Sequence, residues 1–391
     1  MNKSKGLNNR YILLQGSYYA VSVCFTGFMV PVLQKQGFNN SQIGILLGIR
    51  ALLSVLAQPF FADYFQKTKR NFTLNHLIAG LIVMSMIMTG LQLFNPNFIG
   101  TTFIFVAYGI FTFGIISFID AMSTLYFHEG KSVNYPIARG VGSLSYAVFA
   151  LLVGFLVSPQ AILTTQIILF IPLLYLVLTI DPIHKMEKGE ETTTKESISL
   201  SRILKEYPVF KYFLLAVTIV FIGKEMTSNF LIDVYRSLGG DSKSYGVGTF
   251  ILAMSEIPAA IIFTKIAGKL GVYKLILLSF FFASIRLLLI AIAPSLLVLN
   301  IAQAFQMLGY GLFWAGSVYF IREVLPAQYS VKAQAALGVC YMGIGSGVGS
   351  IASGFILSNT SLTTLLIVST ALSFVGTGVF LMGKKYYTKI S

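Results

Sequence analysis

Cysteine is almost missing from this 391-residue chain: Cys24 and Cys340 are its only two, and both lie inside apolar runs. Two isolated thiols build neither a disulfide framework nor a cysteine metal site. Histidine is as scarce, with His76, His128 and His184 scattered near the ends of apolar runs or in loops, where they make poor metal ligands or proton relays. Charge is sparse too, at 11% of residues, against about 25% in a soluble protein. The usual enzyme signatures are absent: no Walker A loop, no His-Glu-x-x-His and no Gly-x-Ser-x-Gly elbow. The glycine-rich GIGSGVGS from Gly343 has no strand before it and sits in an apolar run, so it is not a nucleotide loop. No enzymatic activity, no cofactor and no metal are expected.

What the chain has in quantity is apolar sequence, 55% of its residues. Runs of about 18 or more recur, and a bilayer core needs about 20 per helix. Barrel strands are about 10 residues with alternating polarity, a pattern not found here. The expectation is an all-α membrane protein with twelve spans, at roughly 11–33, 41–63, 72–93, 98–127, 137–158, 160–180, 209–233, 244–264, 275–293, 296–320, 332–357 and 361–383. The basic start, MNKSKGLNNRYILL, leads into a run that lacks a small-residue cleavage site and continues to Pro31, so no removable signal peptide is expected.

The net charge of +14 invites a nucleic-acid partner. The placement of the charges argues against one. The gaps after odd-numbered spans contain only Lys35, Arg236 and Lys243, whereas the two tails and the other gaps, with their edges, hold 21 of the 28 Lys and Arg. This is the positive-inside pattern, and it places both termini in the cytoplasm of a multi-pass protein of the plasma (inner) membrane. The lipid bilayer is then one expected partner; a small-molecule substrate, protons and a monomeric state are expected on the grounds given below.

The longest hydrophilic stretch, 181–208, is rich in Glu, Lys, Thr and Ser. It reads as a cytoplasmic linker between an N-terminal half, 1–180, and a C-terminal half, 209–391, of six spans each. The halves are weakly alike. GVGSLSYAVFALLVGFLVS from Gly140 and GIGSGVGSIASGFILS from Gly343 share Gly-x-Gly-Ser and a later Gly-Phe, and Tyr126-Phe127 before Glu129 parallels Tyr319-Phe320 before Glu323. Duplicated six-helix halves with a midplane site typify one transporter architecture. Close helix contacts are the plainer reading of the glycines themselves.

Full charges inside apolar runs cost about 2.5–3.5 kcal/mol each on insertion scales, and such residues usually pair or face a water-filled cavity. Glu256 lies about 12 residues into its run, roughly 18 Å deep at about 1.5 Å per residue. Arg286 has a similar depth on the next, antiparallel run. A carboxylate there is balanced between desolvation and a neighbouring guanidinium, which suits proton uptake and release. Asp120 and Arg139, on consecutive runs joined by a short loop, form a second expected pair. Each pair is either a fixed structural contact or one that opens when a proton or substrate arrives. Lys224 and Glu225 are consecutive, and adjacent helix positions do not face each other, so at least one of them needs another partner or water. Arg50 has no acid of matching depth in its own run. It either reaches a helix in the other half or lines the cavity as an uncompensated cation. Tyr18, Tyr19, Tyr146, Asn229, Gln303, Gln306, Tyr310, Trp314 and Tyr341 add aromatic faces and amides at membrane depth, the groups a sugar or nucleoside site uses.

With these residues in view, the chain resembles the major facilitator superfamily over nearly its whole length. More narrowly, it resembles the lactose-permease-like branch of oligosaccharide:proton symporters, which also contains nucleoside and aromatic-acid permeases. The resemblance rests on Pro31 in the first span, on IGILLGIRALLSVLAQPFFADYF with Gln58, Pro59 and Asp63, on ARGVGSLSYA, on SEIPAAIIF and on SIRLLL. It implies two pseudo-symmetric six-helix halves. It implies Glu256, Arg286, Asp120 and Arg139 as proton-coupling residues. Arg139, Tyr146 and Glu256 would contact substrate, with Arg50, Lys224, Glu225, Asn229, Gln303, Gln306, Tyr310 and Trp314 as further candidates. Asp63, with Lys69 and Arg70 in a degenerate form of the loop 2–3 signature, would gate the conformational change. The chain departs from lactose permease at Gln306 and Gly309, where that protein has a proton-coupling His and Glu. It departs again at Ala259, in place of an amide-bearing sugar contact, and in the glycine-rich run, which lacks the permease's Lys. Lactose is therefore not the expected substrate. The function implied is proton-coupled import of a sugar, glycoside or nucleoside by alternating access. An exporter of drugs, lipids or sugars by proton antiport stands as the alternative, and a non-transporting membrane sensor as a minor one.

Overall fold

In lipid every backbone N–H and C=O needs a partner within the protein, and a helix supplies one locally. The computed structural model describes residues 2–68, 71–184 and 199–387, with side chains throughout except those of 2–5, 66 and 259–268. Each of the twelve apolar runs is helical. We number them α1 (Asn2–Ser22, a wide π-turn Val23–Gly27, then Met29–Lys35), α2 (Asn40–Lys67), α3 (Leu74–Gln92), α4 (Phe98–His128), α5 (Tyr135–Gly154) and α6 (Pro159–Thr179). The second set is α7 (Pro208–Asn229), α8 (Ser242–Leu270), α9 (Val272–Ala291), α10 (Leu296–Ala304, a 3₁₀ turn Phe305–Met307, then Tyr310–Val324), α11 (Ser330–Gly338, a π-turn Val339–Gly345, then Ser346–Asn359) and α12 (Leu362–Met382). Nine described helices are long and apolar enough to cross a membrane alone, and α1, bent by 42°, makes a tenth. The other two, α7 and α8, carry Lys224, Glu225 and Glu256.

Helix starts follow local chemistry. Asn39 and Gln42 form a capping box at α2, and Thr73 forms one with His76 at α3. Such caps satisfy otherwise orphaned N–H groups. The His76 ring, unpromising as a relay, is thus employed in a cap.

Two compact units emerge. The first comprises Met1–Glu187 with Ser242–Ala253, the second Lys188–Asp241 with Met254–Ser391. The expected linker lies between them in sequence, and its residues 185–198 fall outside the described residues. The opening turns of α8 join the first unit because Gly246 lets its backbone lie against α5: a Cβ there would meet the Ala150 carbonyl at 2.7 Å. Tyr245 also donates to the Gly27 carbonyl at 2.7 Å.

The same packing pattern occurs in both units. In the first, α1 packs on α5 and α6, and α3 on α4 and α6. In the second, α7 packs on α11 and α12, and α9 on α10 and α12. The interiors differ in chemistry. Inside the first, Thr89 meets Tyr108 at 2.7 Å, Gln166 donates to Thr89 at 3.1 Å, and Ser85 meets Thr112 at 3.0 Å. Such interhelical hydrogen bonds contribute about 0.6 kcal/mol each in a membrane. The second is held by rings: Phe213 and Phe320 are 4.6 Å apart, Tyr273 and Phe380 4.7 Å, and Phe280 and Phe313 5.6 Å. Each such pair adds about 0.5–1.5 kcal/mol.

Candidate functional site

Within the second unit, α10 breaks where its polar residues lie. The 3₁₀ turn Phe305–Met307 and Gly309 interrupt the α-helical ladder, and a mid-helix 3₁₀ stretch often marks a functional hinge. Gln303 lies just before the break and Gln306 within it, one turn apart. Gln303 accepts from Arg286 Nη2 at 2.6 Å, and Gln306 donates to Glu256 Oε1 at 3.0 Å. Glu256 also acts electrostatically on Arg286. The expected carboxylate–guanidinium neighbourhood is therefore present, with two amides from α10 bound to its members. Arg286 and both glutamines are buried, and Glu256 is half-buried. Nε of Arg286 and Nε2 of Gln303 have no hydrogen-bond partner among the described residues. A buried donor left unpaired costs about 1–3 kcal/mol, so this corner holds donors suited to an incoming acceptor.

Lys224, Arg286, Gln306 and Tyr310 share a small cavity of about 20 Å³ with surrounding rings, room for about one water molecule. Lys224 has the further partners expected of it and also pairs with its neighbour. Its Nζ lies 3.7 Å from Oε2 of its neighbour Glu225, although adjacent helix positions point apart. The long lysine stem curls back, with its ammonium 5.6 Å from the Phe221 ring and 5.4 Å from that of Tyr310. Gly349 brings α11 close to this point, since a Cβ there would meet the Glu225 Cβ at 2.9 Å and the Ile222 carbonyl at 2.8 Å. Asn229 donates to Ser350 at 2.9 Å. Trp314 stacks on Tyr310 at 6.0 Å and meets Tyr341 edge-on at 5.6 Å.

A second polar set lies within the first unit. Asp120 accepts from the Gln15 amide at 2.7 Å, and Arg139 and the Tyr135 hydroxyl also act on its carboxylate. Gln15, fully buried, contacts Tyr11 at 3.1 Å as well. The Arg139 guanidinium lies over the Tyr19 ring at 4.4 Å. That ring rests on the bare backbone of Gly142, where a Cβ would meet it at 2.4 Å. The Tyr146 hydroxyl lies 3.2 Å from Thr26 in the π-turn of α1. Arg50 is buried and donates to the Phe25 carbonyl at 2.5 Å, with its guanidinium 5.1 Å from the Phe113 ring. The partner expected in the other half is replaced by a main-chain oxygen of the first half, in the same π-turn, a group no side-chain inventory reveals. Asp63 pairs with Lys67 at 2.6 Å, both exposed, and Lys69 and Arg70 lie outside the described residues.

Sequence reasoning missed Gln15 and Tyr135. The amide inside the run YILLQGSYYA was the available signal for Gln15. Among the described residues no group of three or more His, Cys, Asp or Glu is placed to hold a metal ion. The arrangement offers two carboxylates, Asp120 and Glu256, each held by an amide that does not itself titrate, and three cations near aromatic rings.

Comparisons place this geometry among transporters. The chain is 25% identical over 386 residues to the uncharacterized transporter YwbF of Bacillus subtilis, covering 96% of this chain and 94% of that protein. It is 21% identical over 373 residues to the maltose permease of Geobacillus stearothermophilus, covering 93% and 91%. The crystal structure of the nucleoside transporter NupG superposes with a TM-score of 0.81 at 15% identity, covering 99% of this chain and all of that one. An inward-facing bacterial homolog of the human lysosomal transporter Spinster gives 0.72 at 12% identity, covering 99% and 98%. These structural likenesses establish the major facilitator fold. The MFS_1 like family model matches residues 11–368, so this membrane protein, a transporter and not an enzyme, belongs to the MFS_1 like family of the major facilitator superfamily.

Proposed function

We propose that the protein is a proton-coupled symporter that imports a small polar metabolite, a sugar, glycoside or nucleoside, by alternating access. The observation that carries the proposal is the hydrogen bond from Gln306 to Glu256 beside the buried Arg286. It holds a titratable group at membrane depth with a partner that does not compete for the proton. Ionisable residues in such positions mark substrate and ion paths. In this reading Glu256 carries the proton and Arg286 tunes its affinity. Asp120 with Arg139 forms a second coupled group. Arg139 and Tyr146 contact substrate within the first unit, as Glu256 does within the second. The likeness to a maltose permease and to a nucleoside transporter supports the substrate class. Both termini are cytoplasmic in this reading, Asp63 belongs to the gate, and the working unit is a monomer.

The experiment is uptake in vesicles carrying the wild type or Glu256→Gln, with substrates first chosen by a thermal-shift screen of sugars, nucleosides and organic acids. The variant is expected to lose accumulation driven by a pH gradient and to keep substrate exchange. Normal accumulation by Glu256→Gln would rule the proton role out, and reversed transport in inverted vesicles would favour an exporter.

A further inference from the structure

Away from both polar sets, the second unit carries an open pocket where two of its helices leave the membrane. The short helix Leu200–Glu206 precedes α7, and the end of α12 continues into the 3₁₀ turn Gly383–Tyr386. Between them is a cavity of about 430 Å³ lined by Ser201, Lys205, Lys211, Tyr212 and Tyr386. Tyr212 and Tyr386 stack at 5.6 Å with their planes 18° apart and form one wall. Lys205 and Lys211 are exposed, and neither has an ion-pair or hydrogen-bond partner among the described residues. Arg202, Lys384 and Lys385 stand on the same two short segments, with Lys385 over the Tyr386 ring at 4.9 Å. The nearby acids are engaged: Glu206 with its neighbour Tyr207, and Glu323 with the Tyr387 hydroxyl.

We propose that this pocket binds one anionic phospholipid, with the headgroup phosphate between Lys205 and Lys211 and the glycerol region against the tyrosine stack. Position selects a lipid over a soluble anion. The pocket opens at the first turn of α7 and just past the last turn of α12, which is headgroup depth, where tyrosines concentrate. Below it runs an apolar track. Leu215, one turn into the membrane from Lys211, is 46% exposed, and Met382, one turn in from Tyr386, is 62% exposed, with Val375 beyond it at 55%. Residues four apart share a helix face, so acyl chains descending from the pocket meet these side chains directly. The site is independent of the transported substrate and of the direction of transport.

The test titrates detergent-solubilised full-length protein with dioleoylphosphatidylglycerol, dioleoylphosphatidylcholine or water-soluble glycerol 1-phosphate, reading bound lipid by native mass spectrometry and stabilisation by thermal shift. Phosphatidylglycerol is expected to bind more tightly than phosphatidylcholine, by about five-fold per lysine and about thirty-fold for the two. The Lys205→Gln/Lys211→Gln variant should lose that preference. Lys243→Gln, whose ammonium lies over Phe155 in the first unit, should keep it. The two pocket lysines are exposed, so the double variant is expected to fold, and an unchanged melting temperature without lipid confirms this. An undiminished preference in the double variant overturns the site. Equal stabilisation by glycerol 1-phosphate overturns the lipid and leaves a small-anion site.

Discussion

The side-chain amide of Gln306 donates to Glu256 at 3.0 Å, and the amide of Gln303, one turn earlier on the same helix, accepts from Arg286 at 2.6 Å. One helix therefore holds a carboxylate and a guanidinium at once, the guanidinium from its last regular turn and the carboxylate from the 3₁₀ turn that breaks it.

Gln306→Leu removes the donor to Glu256 while nearly preserving volume. A hydrogen bond to a charged group contributes about 1.5–3 kcal/mol. The variant should melt earlier in detergent, and the pH profile of uptake should move relative to wild type. An unchanged profile together with normal uptake would show that the amide does not set the carboxylate's chemistry.

Gln303→Leu leaves a buried guanidinium without its acceptor. Arg286→Met alone leaves a buried amide unpaired. Removing one partner of a buried polar pair is costlier than replacing both. In a double-mutant cycle read by thermal unfolding, Gln303→Leu should therefore be the least stable variant, and Arg286→Met/Gln303→Leu should recover part of the loss. Additive losses would mean that the two side chains are not coupled.

Gly142→Ala drives a methyl into the Tyr19 ring that lies beneath Arg139. Overpacking of this kind costs about 1–3 kcal/mol. Substrate affinity should fall because the ring and the guanidinium move together. Tyr19→Ala added to Gly142→Ala should restore stability without restoring affinity, as measured by melting temperature and substrate-induced thermal shift.

Lys131, in the loop between α4 and α5, lies 3.0 Å from Glu129 and 3.5 Å from Asp181. Burial by itself lowers its pKa, but Glu129 and then Asp181 outweigh it and leave the ammonium above its ordinary 10.5. Because the folded-state value is the higher one, the stabilisation is fully present below pH 10.5 and is lost as pH rises through the folded value. The lysine is partly exposed, so Lys131→Met should cost under about 1 kcal/mol near neutral pH. The difference from wild type should vanish at strongly alkaline pH. A difference that persists there would point to packing of the stem, not charge.

The helical character of the apolar runs was legible in the sequence because the signal is local: an apolar run about as long as a bilayer is thick has one way to satisfy its backbone. That Arg286, Glu256, Asp120 and Arg139 lie within helices was legible for the same reason. The breaks in α1, α10 and α11 were not. They depend on small residues and on neighbours that take up the freed backbone groups, as Arg50 does with the Phe25 carbonyl. The curl of Lys224 back onto Glu225 was missed because spacing rules describe Cβ directions, whereas a four-carbon stem reaches around them.

By itself the sequence determined the class of molecule, the order of its apolar helical runs and the residues that place charge within them. These follow from transfer energies, which each segment carries regardless of its neighbours. Only the tertiary structure decided the partners. Gln303 and Gln306 on the Arg286 and Glu256 side chains, Gln15 on Asp120 and the Tyr19 ring beneath Arg139 require particular helix rotations and rotamers. Those are set by how small residues such as Gly142, Gly246 and Gly349 let neighbouring helices approach, a property of pairs of helices and not of any one stretch of chain.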